Sequence, residues 1–97
     1  MLNTTYNDVL TWAKDRNLID GSNSQAQMLK LAEEMGELAG NIAKGRPVKD
    51  DIGDMMVVLT IIAAQNNLTL AECYSHAYND IKDRKGKMVC GVFVKEE

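Results

Sequence analysis

The stretch from Met55 to Ala64 constrains this chain more than any other, because it is apolar throughout except at Thr60. At about 100° per residue, such a run leaves no polar face on a helix, which predicts a central helix covered by others. It is too short to cross a bilayer, which needs about 20 residues. Pro47 is read as the first-turn residue of this helix. Asp50 and Asp51 follow where negative charge suits the helix dipole, and Asn66-Asn67 ends the helix.

Three further helices are expected around it. Tyr6, Val9, Leu10, Trp12 and Ala13 have amphipathic spacing over Thr5 to Arg16, and Asn17 and Asp20-Gly21 break that segment. Ser22 or Ser24 is read as the cap of a second helix that runs to Lys44 and stops at Gly45. Met28, Leu31, Ala32, Met35, Leu38, Ala39 and Ile42 form its broad apolar stripe. Thr69 and Glu72 have capping-box spacing and open a fourth helix to about Lys85. The β-branched tail Met88 to Val94 reads as a short extended segment. The expectation is one all-α domain over 1–97, a four-helix bundle with an extended C-terminal tail. With 97 residues to cover an almost wholly apolar helix, it should also assemble as a homo-oligomer.

A net charge of −3 and a single late basic cluster, Lys82, Arg84, Lys85 and Lys87, argue against nucleic acid as the partner. Cys73 and Cys90 form no CxxC and His76 stands alone, so no zinc set is present and two free thiols are expected. The N-terminus has no basic segment followed by an apolar one, so no signal peptide or membrane anchor is read and a cytoplasmic protein is expected.

The chemistry-bearing feature is Glu33-Glu34-Met35-Gly36-Glu37, followed by Asp50-Asp51-Ile52-Gly53-Asp54 on the next helix. With Glu33 at zero, Glu37 falls near 40° and Glu34 near 100°, and the apolar stripe begins at Leu38 near 140°. Asp51 and Asp54 share a side with Met55 and Val58. Carboxylates beside a buried helix are costly without compensation, and Lys30 is one charge against several. A hard divalent cation such as Mg²⁺ is a natural counter-charge for oxygen donors. The short connection makes the two helices antiparallel neighbours, so both acidic groups could face one pocket. Solvated helix faces remain the alternative for either group taken alone.

Leu29-Lys30-Leu31-Ala32-Glu33-Glu34-Met35-Gly36-Glu37-Leu38 resembles the EExxE signature of the MazG-like nucleotide pyrophosphohydrolases, members of the all-α NTP pyrophosphatase superfamily with the dimeric dUTPases. Asp51-Ile52-Gly53-Asp54 stands in the place of the family's ExxD motif, with aspartate for glutamate at its first position. Asn79 to Gly86 is similar to the family's polar and basic segment after the fourth helix. The resemblance spans roughly Gln25 to Gly86. It implies Mg²⁺, with Mn²⁺ as a substitute, on Glu34, Glu37, Asp51 and Asp54, with Glu33 in or near that shell. It implies cleavage of nucleoside triphosphates between the α- and β-phosphates by a homodimer or a dimer of dimers. Glu33 or Glu37 would take the proton of the attacking water. Lys30, Asn79, Lys82, Arg84 and Lys85 would hold the substrate, although cations at a helix end also suit the macrodipole. Aspartate at 51 is one methylene shorter, which favours a water-mediated ligand or a closer helix. It also supports the competing reading, a non-catalytic helical dimerisation or regulatory module derived from this family. A di-iron bundle is disfavoured, since no glutamate has histidine three residues on. Trp12 is read as a core or interface anchor.

Overall fold

The computed structural model describes residues 2–96. Four helices, α1 (Leu2–Asp15), α2 (Ser24–Ala43), α3 (Lys49–Gln65) and α4 (Leu70–Ile81), are followed by the strands β1 (Gly86–Val89) and β2 (Val92–Lys95). The fold is thus mostly helical with one small antiparallel sheet. The extended tail is the second arm of a hairpin. Val89 pairs with Val92 across a two-residue turn in which both Cys90 (φ 51°) and Gly91 (φ 82°) are left-handed, the geometry that matches strand twist.

The helix boundaries follow from where orphan backbone groups find partners. Asn17, Gly45 and Asn67 all adopt left-handed φ, at 56°, 66° and 59°. The next residue's N–H then reaches back over each helix end. Leu18 donates to Ala13, Arg46 to Asn41 and Leu68 to Ala63, all at 2.9 Å. The capping box at α4 forms as expected, with Thr69 N–H donating to Glu72 Oε1 at 2.6 Å and Glu72 N–H to Thr69 Oγ1 at 3.1 Å. Three sequence expectations fail at the ends. The α2 cap is Asn23, whose Oδ1 accepts from Ala26 N–H at 2.8 Å, and not Ser22 or Ser24. Pro47 lies before Val48, the N-cap of α3, and so outside the helix. Helix α4 stops at Ile81 with Lys82 as its C-cap, a turn earlier than Lys85.

Helix α3 is the hub on which α2, α1 and α4 each pack. Helices α2 and α3 are antiparallel and fastened at both ends. Near the connection, Asn41 Nδ2 donates to Asp51 Oδ2 at 2.8 Å. At the far end, Ser24 Oγ donates to Gln65 Oε1 and accepts from Asn66 Nδ2, both at 3.2 Å. Gln65 Nε2 also donates to the carbonyls of Leu18 and Ile19, tying down the α1–α2 connection. The seam that α2 turns inward is Ser24, Gln27, Leu31, Glu34, Leu38 and Asn41, spaced alternately three and four residues apart and mostly polar.

Much of the expected core is therefore on the surface. Leu31, Val58 and Ile61 are buried, each stabilising by about 1.5–3 kcal/mol. The outer half of the α2 stripe, Met28, Met35 and Ile42, is exposed, and so are Met56 and Leu59 of α3. Helix α3 is not covered on every side within one chain, because α4 leaves it at a bend of 97° and the hairpin has no close backbone neighbour in any helix. Helix α4 does not lie alongside the other three as a fourth bundle member. Among the described residues, no single helix is long and apolar enough to cross a membrane.

Candidate functional site

Glu34 is the centre of the acidic group. The polar phase of α2 carries it inward, where it is buried with 6% exposure. Its Oε1 meets Lys30 Nζ at 3.3 Å, but its Oε2 is buried without a hydrogen-bond partner among the described residues. An unpartnered carboxylate oxygen away from water is costly, and natural proteins retain few of them without a reason. Lys30 is shared with the exposed Glu33, at 3.4 Å. These two carboxylates, by accepting hydrogen bonds and by their charge, hold the Lys30 ammonium above its usual pKa, with Glu34 the larger cause.

Glu37, one turn on from Glu34, is exposed and faces a shallow pocket of about 440 Å³ with Glu33, Gly36, Asn41 and Lys44. Its pKa is raised above the ordinary carboxylate value. The charge of Glu34 is the main cause, followed by the close approach of the Glu34 carboxyl, which makes a hydrogen bond to Glu37 only when one of the two is protonated, then desolvation, and the charges of Glu33 and Asp51. The charges of three carboxylates on two helices thus reach Glu37. Asp51 is buried and held by Asn41. Asp54 is exposed and lies with Glu34 and Lys30 on a second cleft, of about 570 Å³, between α1, α2 and α3.

The structure divides the expected ligand set. Glu34 and Asp54 share the interhelical cleft, Glu37 opens on the neighbouring pocket, and Asp51 is occupied by Asn41. Among the described residues, no three acidic, histidine or cysteine side chains converge closely enough to hold a metal ion as they stand. The donor chemistry still suits a hard cation: every group is a carboxylate oxygen and, among the described residues, one is buried without a partner and the only cation against it is a side chain half-exposed to water.

The expected substrate-binding cations are not at this site. Asn79 lies exposed on α4, Lys82 caps that helix, and Arg84 and Lys85 lie in the link to β1. Among the described residues, none of them lines either cleft in a single chain. Only Lys30 of the expected set stands beside the carboxylates. Sequence reasoning missed the contribution of α1. Thr5, Asp8, Val9 and Trp12 form one wall of the larger cleft, and Trp12 is 42% exposed there and not a core anchor. Their spacing along one helical face was the available signal. Cys73 and Cys90 are free thiols, as expected.

No family model matches the chain, and no solved structure matches it. A segment is 51% identical over 59 residues to an uncharacterized 18.2 kDa protein in the rep-hol intergenic region of Haemophilus phage HP1 (strain HP1c1). That match covers 59% of this chain and 36% of the phage protein, so the chain spans about a third of its relative's length.

Proposed function

We propose that the chain is a Mg²⁺-dependent nucleoside triphosphate pyrophosphohydrolase that releases the monophosphate and pyrophosphate. The observation that carries this reading is the buried, unpartnered Oε2 of Glu34 within a four-carboxylate group on antiparallel helices. Glu34 and Asp54, with Glu37 and Asp51 beside them, would hold the cation, Mn²⁺ serving as a substitute. The bound cation would neutralise phosphate oxygens and lower the pKa of a bound water. Binding requires Lys30 to leave Glu34, and its half-exposed side chain is free to swing toward the phosphates. Glu37 or Glu33, beside Glu34 and exposed to water, would accept the proton of the attacking water. Asn41 positions Asp51.

The same reading includes a homodimer or a dimer of dimers. The outward seam of α2 (Met28, Ala32, Met35, Ala39, Ile42) repeats the three–four spacing of a helix-packing surface. A second copy laid there would supply the missing bundle partner, and assembly is also the route by which Asn79, Lys82, Arg84 and Lys85 would reach a phosphate chain. Light scattering of the protein at micromolar concentration tests this, and a stable monomer counts against it.

A second reading, a non-catalytic dimerisation or regulatory module, is favoured by the internal partnering of the acids, Lys30 on Glu34 and Asn41 on Asp51. Chromatography of nucleoside triphosphate digests made with Mg²⁺ separates the two. Monophosphate with pyrophosphate supports the enzyme, diphosphate as the first nucleotide product overturns the assigned reaction, and no product from any common or modified triphosphate supports the module.

A further inference from the structure

We infer that Asp8 and Trp12 of α1 form the nucleobase end of the interhelical cleft and select guanine. The inference rests on the pyrophosphohydrolase reading for its ligand class, and on the following geometry for its specificity. The cleft, at about 570 Å³, falls in the range of small-molecule sites, about 300–1,000 Å³. One wall is α2 and α3 with Lys30, Glu34 and Asp54, and the opposite wall is α1 with Thr5, Asp8, Val9 and Trp12. A nucleotide whose phosphates lie at the carboxylates and Lys30 therefore has α1 as the available wall for its base. Glu34, a buried carboxylate with an unpartnered Oε2 among the described residues, lines this cleft.

Trp12 supplies the stacking surface. Its ring is partly exposed on the cleft wall, and it is braced by Arg16, which does not line the cleft. The Arg16 guanidinium carbon lies 4.7 Å from the ring centroid, and Arg16 Nη1 donates to the Trp12 carbonyl at 3.2 Å. A braced aromatic loses little freedom when a base stacks on it.

Asp8 supplies the discrimination. It sits one turn before Trp12 on the same face and lines the same cleft, which places a carboxylate within one helical turn of the ring. It makes no ion pair among the described residues, and it does not converge with Glu34 and Asp54 into a metal-holding group. An ionised carboxylate only accepts hydrogen bonds. Guanine offers two adjacent donors on its Watson–Crick edge, N1–H and the 2-amino group. Adenine and cytosine offer an amino group beside a ring-nitrogen acceptor, which a carboxylate repels. Uracil and thymine offer one N–H between two carbonyls. Guanine is thus the base whose edge the carboxylate matches in full.

Trp12 is the sole tryptophan, so its fluorescence reports stacking directly. The wild-type protein is titrated in Mg²⁺ with GMP, AMP, CMP, UMP and dTMP, and then with the matching triphosphates under turnover. Saturable quenching is expected with GMP at a Kd lower by about tenfold or more than with the others, the modest end of bidentate base recognition because Asp8 is exposed. Asp8→Asn should abolish that preference and improve binding of xanthosine monophosphate, whose 2-carbonyl accepts from the new amide. Equal quenching by all bases, or a guanine preference unchanged in Asp8→Asn, overturns the inference. Guanine-selective quenching without pyrophosphate release leaves the base site standing and refutes the proposed reaction. Pyrophosphate release without base discrimination does the reverse.

Discussion

Replacing Glu34 with glutamine should make the protein more stable and inactive at once. Glu34 Oε2 is a buried charged acceptor without a partner, and such a group costs about 1–3 kcal/mol. In the variant an amide nitrogen takes one oxygen position and can donate to Glu37, whose raised pKa reports the proximity of the two carboxyls. The loss on the other side is the Lys30 pair, which contributes little because Lys30 is half-exposed. The balance favours Glu34→Gln by about 1–2 kcal/mol. In a domain of this size that raises Tm by at least about 4 °C. The assay is thermal unfolding followed by circular dichroism, with and without Mg²⁺. The wild type should gain about 2.7 kcal/mol when Mg²⁺ is at a hundred times its Kd, and the variant should gain almost nothing, so the order of the two melting points reverses in metal. A variant that melts below the wild type without metal, or that keeps the full Mg²⁺ shift, refutes the argument from the orphaned oxygen.

Glu37→Gln and Asp54→Asn should each reduce pyrophosphate release by more than the about 10–100-fold that loss of an outer-shell partner costs, with the circular dichroism spectrum unchanged. Near-wild-type release from either would remove that residue from the site. Asn41→Ala leaves the buried Asp51 carboxylate without its donor, so urea titration should show a loss of about 1–3 kcal/mol. The raised pKa of Glu37 means that the folded state holds its proton more tightly than the unfolded chain does. Stability without metal should therefore fall as pH rises from the ordinary value of 4.5 through the raised one, with Glu34, Glu33 and Asp51 supplying the repulsion. Urea midpoints measured across that window check the sign, and Glu37→Gln should flatten the slope.

The helices were legible because their ends carry local chemistry. Gly45, Asn67 and the Thr69–Glu72 box act within a few residues of themselves, so sequence alone locates them. What the sequence did not reveal depends on neighbours. The apolar stripe of α2 was read as the core face, but Ser24 and Asn41 turn inward because their hydrogen bonds to the end of α3 and to Asp51 are made there, and Gln27, which bonds Ser22, and Glu34 lie on the same face. The hairpin was read only as an extended segment, since Cys90 gives no turn signal and only its partner Gly91 favours the left-handed region. Of the site, the acidic positions were visible from spacing. The separation of Lys82, Arg84 and Lys85 from them was not, because it follows from the 97° departure of α4.

The polar fastenings between α2 and α3 have a consequence for how this molecule can change. Apolar contacts are interchangeable, and two greasy helices can slip past each other by one turn, about 5.4 Å, and still bury similar area. Here such a slip would break Asn41 from Asp51 and Ser24 from Gln65 and Asn66 together. The relative phase of Glu34 and Asp54 is thus held by three hydrogen bonds at the two ends of the pair as well as by the buried side chains between them. Variation at Leu31, Leu38, Val58 and Ile61 within the apolar class should leave the carboxylates in register, while a single change at Ser24 or Asn41 removes a stop.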